Sequence, residues 1–544
     1  VTTVARLIAD ALAAAGVRWA FTVPGESFLG LLDALPAAGI EVVATRHEGG
    51  ASFMAEAVGQ LTGKPAAVLG TRAVGASNMS IGIHTARQNS TPMVALLGQV
   101  PRPFVGREAF QEADLVATPG RLAKWAGQLN DPADAGRLVA EGLSAMLTGR
   151  KGPVLLSLPE DTLDEEVPPA AFAWDLVAPL SPTSEAVRPI ADMLQRAERP
   201  AILAGYGLAA AGARDLLVQF SERFGIPVFA AWRRPTVFPN DHPNFLGTTG
   251  YGSASTVRNR LLTADALLVI GCRLNEIASF DYAIPAADTP WAHVDLEPRS
   301  AHAGLVAPDF ALTADAAAFL EVALALEPGP AVEQRREAIR TDRSAYLAAT
   351  QLPVSTWEGP GVDPAHVVAT MQAVLAKDAI VTTDAGNFGL WPARYFKFGR
   401  DQVFLGPTSG AMGYGLPAAI AASLVEQDRQ ILALCGDGGL AMTMNELETA
   451  VRAGAKPVIV VFDNEKYGTI AMHQANEQRD SVATGLGPID FAAVAHACGA
   501  DGVRVSDDAA FEPCLRTALA SGRTTVLHLQ LDPRWISPDN PAPV

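Results

Sequence analysis

The chain is poor in cysteine, in net positive charge and in long apolar runs, and each shortage removes a class of protein. Its four cysteines, Cys272, Cys435, Cys498 and Cys514, lie far apart. They form neither a disulfide framework nor a ligand cluster. Asp and Glu outnumber Lys and Arg, 58 to 41, for a formal charge of −17. A general nucleic-acid binder needs cations to neutralise phosphates, so that role is excluded. No uninterrupted apolar run reaches membrane-spanning length. Asp10 interrupts the only stretch resembling a signal-peptide core, and a soluble, cytoplasmic protein is expected. What remains is abundant apolar residue with 48 Gly and 39 Pro in 544 residues, which suits a large α/β protein with many short connections. No short tandem repeat is found.

The length exceeds what one core serves, and the pattern divides into three α/β blocks, residues 1–165, 190–345 and 362–531, followed by a tail at 532–544. In the first, Thr2 or Thr3 caps a helix that ends near Gly16. Strands are expected at Trp19–Val23, Glu41–Ala44, Ala66–Gly70, Met93–Leu97 and Val154–Leu158. An exposed connection runs from Glu166 to about Pro189. The second block has strands at Ala201–Ala204, Val228–Ala230, Ala266–Ile270 and Trp291–Asp295, then a charged helix over Val332–Ala348 and a linker over Pro353–Gly361. Proline punctuates the tail, which excludes a regular element there.

The third block holds the most informative stretch, Cys435 to Gly468. Asp437 sits in a Gly-Asp-Gly turn after the apolar run Gln430–Cys435, and Asn464 follows the run Pro457–Phe462, 27 residues on. This is strand, glycine turn, helix, strand and an oxygen-bearing turn. It brings two parallel strand ends together with a helix N-terminus between them. Asp437, the Asn464 amide oxygen and the carbonyl of Lys466 can hold a hard divalent cation such as Mg²⁺. Gly438, Gly439 and the free N–H groups after them can receive a diphosphate. Without further context, the same segment also reads as an ordinary βαβ unit.

The segment resembles the thiamin-diphosphate signature of the acetolactate synthase and 2-oxo-acid decarboxylase superfamily, and the likeness spans essentially the whole chain. It implies three successive open parallel-sheet α/β domains: an N-terminal one that holds the pyrimidine ring, a middle one, and a C-terminal one that holds the diphosphate. Asp437, Asn464 and Lys466 match the metal ligands, and Gly436, Gly438, Gly439, Tyr467 and Gly468 the surrounding cofactor site. In Arg46-His47-Glu48-Gly49-Gly50, which opens a helix over Ala51–Gly59, Glu48 matches the acid that hydrogen-bonds the pyrimidine N1′. Proton exchange there favours the imino form that makes the ylid. The ylid attacks a ketone, and CO₂ loss leaves an enamine, with the cofactor as electron sink. Met412, between Gly410 and Gly413, matches the apolar residue that bends the cofactor. The resemblance also implies a homodimer with sites at the interface, a homotetramer being the further assembly.

The reaction is less sharply marked. Gly25 and Glu26, in Val-Pro-Gly-Glu-Ser, occupy the turn facing the reacting carbon. The synthases place glycine at the second of these positions and pyruvate decarboxylases aspartate. Glu26 is expected as a buried carboxyl that trades a proton, or else as a first-turn helix acid. The decarboxylases' paired histidines are missing, with a single His84 in that region, and Ile470 stands where they carry a glutamate. Gln99, Phe110 and Gln111 match synthase residues near the cofactor and the substrate channel. Arg72 departs from the synthase pattern, and either grips a substrate carboxylate or faces solvent. FAD in the central domain is left open by Gly205-Tyr206-Gly207 and Arg273, a weak signal. The expected activity is thiamin-diphosphate- and Mg²⁺-dependent cleavage and ligation of 2-oxo acids, as in acetolactate formation from pyruvate. The alternatives are simple decarboxylation, hydrolysis of a diketone, a flavin-dependent oxidase, and a cofactor-binding relic without turnover.

Overall fold

A computed structural model describes residues 1–169, 180–298, 306–353, 359–534 and 536–539. It contains three six-stranded sheets, every strand parallel to its neighbours. Parallel sheets need both faces covered, which explains why their strands read as unbroken apolar runs: Met93–Gln99 and Pro153–Pro159 are buried throughout.

Across the first sheet the strands lie as Glu41–Ala44, Trp19–Thr22, Ala66–Thr71, Met93–Gln99, Pro153–Pro159, Trp125–Gln128. The third repeats that order with Val403–Leu405, Ile380–Thr383, Ile431–Gly436, Val458–Asp463, Thr525–Gln530 and Asp501–Val505. The central sheet differs. Its strands lie as Phe245–Thr248, Val228–Ala230, Pro200–Ala204, Ala266–Ile270, Trp291–Asp295, Phe310–Thr313. In such sheets ligands gather beyond the carboxyl ends of the strands, where the order reverses. That point lies between Thr22 and Thr71 in the first sheet, Ala204 and Ile270 in the second, and Thr383 and Gly436 in the third.

The outer domains share a core. The helix Glu48–Thr62 packs on Gly415–Val425, ten of whose residues are buried, and Phe53 meets Tyr414 edge-on at 5.4 Å. A helix apolar all round belongs inside, as this one is.

The first helix, Val4–Ala14, is capped by Thr3, whose hydroxyl accepts the Arg6 N–H at 3.2 Å. Glu166–Val167 is not purely connection, since it pairs antiparallel with Thr2–Thr3. The central domain starts earlier than expected. Its first helix, Ser184–Arg196, carries Pro189 inside it, because burial of Val187, Ile190 and Leu194 outweighs one lost backbone bond. The middle of the first connection (170–179), most of the second linker (354–358), and residues 535 and 540–544 of the tail lie outside the described residues. Among the described residues no helix is long and apolar enough to cross a membrane.

Candidate active site

The helix carrying Glu48 begins at Glu48 itself rather than at Ala51, because His47 takes the cap position, its Nδ1 accepting the Gly49 N–H at 2.9 Å. Glu48 is 8% exposed, and its carboxylate accepts the Asn78 amide at 2.9 Å. Glu446, from the third domain, accepts the backbone N–H groups of Arg46 and His47 and so fixes that turn.

At the reversal point of the first sheet, Glu26 follows one strand and Arg72 follows the other. Arg72 does not face solvent. Its side chain is 9% exposed, with one nitrogen 2.8 Å from Glu160 and another 3.6 Å from Glu26. It also donates to the Phe110 carbonyl at 3.3 Å, and its backbone is left-handed, φ 46°. Glu26, expected buried, has a side chain 64% exposed in the single chain, since it tops the turn begun by Gly25 instead of packing under it. Phe110 is exposed, while Gln111 turns inward at φ 62° with its side-chain oxygen buried and unpartnered. The Gln99 amide is spent on the main chain of Val100 and Ala113. His84 lies on the helix Arg72–Asn89 beside Gln88.

The other half of the site is a cavity of about 360 Å³ between the central and third domains. Gly410, Met412, Gly436, Asp437, Asn464, Lys466 and Ile470 line it, with Gly438, Gly439, Tyr467 and Gly468. Glycine is demanded in the turn: a Cβ at Gly438 would fall 2.6 Å from the Tyr467 ring, and one at Gly439 would fall 2.2 Å from the Asp384 carboxylate. Asp437 accepts the N–H of Gly438 at 2.8 Å and of Lys466 at 3.2 Å. Burial, with Asp463 beside it, pushes the Asp437 carboxyl up to about 7. Asp463 is also partly buried, which opposes its ionisation, yet the His528 ring at 2.7 Å and the Glu465 N–H hold it below the usual range. Among the described residues no three His, Cys, Asp or Glu side chains cluster to hold a metal. The candidate donors are one carboxylate, one amide oxygen and one main-chain carbonyl, the hard oxygen set that Mg²⁺ takes beside a phosphate.

Neither Glu48 nor Glu26 is among the residues that line this cavity. Sequence reasoning missed Asp384, Arg233, Glu446 and the Asp463–His528 pair. For Asp384 a signal existed: Thr-Thr-Asp-Ala-Gly follows an apolar run as Gly-Asp-Gly does.

Three parallel α/β domains, the last bearing a glycine cradle beside hard oxygen donors, define an enzyme that works through a diphosphate-bearing cofactor. The family models agree: the N-terminal binding domain of thiamine pyrophosphate enzymes matches residues 2–118, the central domain 187–322 and the C-terminal binding domain 384–529. The chain belongs to the thiamine pyrophosphate (thiamin diphosphate) enzyme family, in its acetolactate-synthase-like group. It is 30% identical over 546 residues to an acetolactate synthase large subunit of Parasynechococcus marenigrum, spanning 97% of this chain and 87% of that one. A probable acetolactate synthase large subunit of Methanocaldococcus jannaschii is also 30% identical, over 97% of this chain and 92% of its own. So is the putative thiamine pyrophosphate-containing protein YdaP of Bacillus subtilis, over 95% and 89%.

Proposed function

We propose that the protein is a Mg²⁺-dependent lyase and carboligase of 2-oxo acids, whose leading reaction joins two pyruvates to give acetolactate and CO₂. The observation that carries this reading is the cavity that gathers Asp437, Asn464, Lys466 and Met412, whose lining includes neither Glu48 nor Glu26 of the same chain. A cofactor with a ring at one end and a diphosphate at the other needs both the cavity and Glu48. A second copy then supplies Glu48 to the cavity, and a C2 homodimer is the minimum active unit, with a homotetramer as the larger assembly. Apolar side chains left exposed on the two halves, Phe104, Phe110 and Val74 on one and Met442 and Ile470 on the other, support this pairing.

When bound, the cofactor supplies a nucleophilic carbon and an electron sink for the bond broken as CO₂ leaves. The chain's residues do the rest. Asp437, Asn464 and the Lys466 carbonyl would hold the metal, and the amides after Gly436 would receive the diphosphate. Glu48 would exchange a proton with the pyrimidine ring, and Met412 would pack against the cofactor. Ile470, exposed in the single chain, would add an apolar side chain to the wall once a second copy covers it. Glu26 stands where a proton is delivered or removed, with Arg72 clamped beside it, which favours simple decarboxylation as the second reading.

FAD fares differently. A second cavity, about 320 Å³, opens at the reversal point of the central sheet. Yet the Gly205 and Gly207 amides already donate to the carbonyls of Ile270 and Gly271. A Cβ at either glycine would strike Gly271, within 2.7 Å. The turn does not fit a dinucleotide diphosphate.

The test is purified protein with thiamin diphosphate, Mg²⁺ and pyruvate, following CO₂ and identifying the product by NMR. Acetolactate is expected. Acetaldehyde alone would replace the synthase by a decarboxylase, and bound cofactor without turnover would overturn pyruvate as substrate.

A further inference from the structure

Asp384 directly follows the strand Ile380–Thr383, across the reversal point from Asp437. It is 1% exposed. One carboxylate oxygen accepts three backbone N–H groups: Gly413 at 2.7 Å, Ala385 at 2.8 Å and Tyr414 at 3.3 Å. The other oxygen is buried and has no partner. It points at Gly439, where a Cβ would meet it at 2.2 Å. Arg233 of the central domain arrives from behind in a left-handed conformation, φ 58°. One of its nitrogens donates to the Asp384 carbonyl at 3.1 Å, and another is buried without a partner.

Burying a carboxylate is costly unless it is paired. Burial pushes this one up to about 7, against the pull of the three amides and of Arg233. A neutral cap would serve the loop as well and cost less. The distinguishing feature is the place where the carboxylate stands. It touches both segments that the cofactor would span, the Gly410–Tyr414 loop on one side and the second glycine of the diphosphate turn on the other.

We propose that Asp384 is a positioning residue, which sets the height of Met412 under the cofactor by anchoring the amides of Gly413 and Tyr414 and by spacing that loop from Gly439. The proposal rests on the thiamin-diphosphate reading. Asp384 acts through Met412 and touches no reacting atom.

The experiment uses the full-length holoenzyme, Asp384→Ala, Asp384→Asn, Met412→Ala and the double variant Asp384→Ala/Met412→Ala. Two quantities are read: affinity for thiamin diphosphate with Mg²⁺, from the fluorescence of Trp232 and Trp391 in the cavity wall, and exchange of the C2 proton of the bound cofactor, by quenched NMR. Asp384→Ala is expected to slow exchange about tenfold or more, a larger effect than on affinity, because the ring is held but misplaced. Asp384→Asn keeps the acceptor and is expected within about threefold of wild type, on that same positioning argument. In the Met412→Ala background, Asp384→Ala is expected to add nothing, as for two residues acting through one contact. Wild-type exchange in Asp384→Ala overturns the proposal, as does full additivity. If Asp384→Ala does not fold, Asp384→Asn decides: near-wild-type exchange supports anchoring, and a tenfold loss in the folded variant overturns it. Wild-type protein that binds no cofactor would instead overturn the thiamin-diphosphate reading itself.

Discussion

Glu446 of the third domain accepts the backbone N–H of His47 at 3.0 Å and that of Arg46 at 3.2 Å, so the turn that aims Glu48 is held from a domain 400 residues away in sequence. Glu446 is wholly buried, and burial pushes its carboxyl up while Thr449 and the two amides draw it back. In the proposed dimer, each third domain therefore orients the acid that serves its partner's cofactor.

Glu48→Gln removes a proton carrier and keeps the shape of the turn. General acid–base groups contribute about 10²–10⁴ in rate. A loss of kcat in that range is expected, with Mg²⁺-dependent cofactor binding preserved in a fluorescence titration. Glu446→Ala should reduce kcat as well, by loosening the turn. An unchanged rate in Glu48→Gln would remove it from the chemistry.

Asp437 must lose its proton to ligate a metal. With its carboxyl at about 7 in the metal-free protein, the apparent Mg²⁺ affinity should rise about tenfold per pH unit below that value and level off above it. Stability runs the other way. A carboxyl raised in the folded state binds its proton more tightly there than in the unfolded chain. Its contribution is present at low pH and is lost as pH climbs towards about 7, and Asp384 behaves alike. Thermal midpoints of metal-free protein should fall over that span, and Mg²⁺ should restore the Asp437 share alone. Flat midpoints would contradict both.

Glu56, fully buried, accepts from Tyr414 at 2.6 Å, Asn89 and Thr91 at 2.8 Å and Gln60 at 3.1 Å. Arg234 of the central domain donates to the Gln60 and Asn89 oxygens at 3.0 and 2.8 Å, joining all three domains. Tyr414→Phe takes one donor from a buried carboxylate, a loss of about 1–3 kcal/mol, read as a lower thermal midpoint. Arg234→Met should cost more, because it strands a buried charge network without its cation.

Much of this was legible in the chain. Glu41–Ala44, Val228–Ala230, Ala266–Ile270 and Trp291–Asp295 stand where their apolar runs placed them. The strands Trp125–Gln128 and Phe310–Thr313 did not declare themselves, because they lie at sheet edges and are nowhere fully buried. Asp437 and Asn464 could be paired because a fixed spacing joins two adjacent strand ends. Glu446, Arg233 and the Glu56 network could not, because their partners come from other domains and only the fold brings them together.

Of the two readings of Arg72, a grip on a substrate carboxylate or a surface arginine, its burial removes the second. Glu160 holds one end of the guanidinium at 2.8 Å and Glu26 stands at 3.6 Å, so its charge is already answered twice. Its structural consequence is to fix Glu26 and the Phe110 carbonyl relative to each other at the reversal point of the first sheet. Removing it leaves the Glu26 and Glu160 carboxylates without the cation they share beside the proposed reacting centre. Arg72→Gln should therefore lower kcat by roughly tenfold or more while leaving the KM for pyruvate nearly unchanged, the pattern of a lost interaction that acts in the transition state. Glu160→Gln, which leaves Arg72 free to turn wholly to Glu26, should have a smaller effect on kcat. A rise in KM alone in Arg72→Gln would mean instead that the guanidinium holds the substrate's carboxylate.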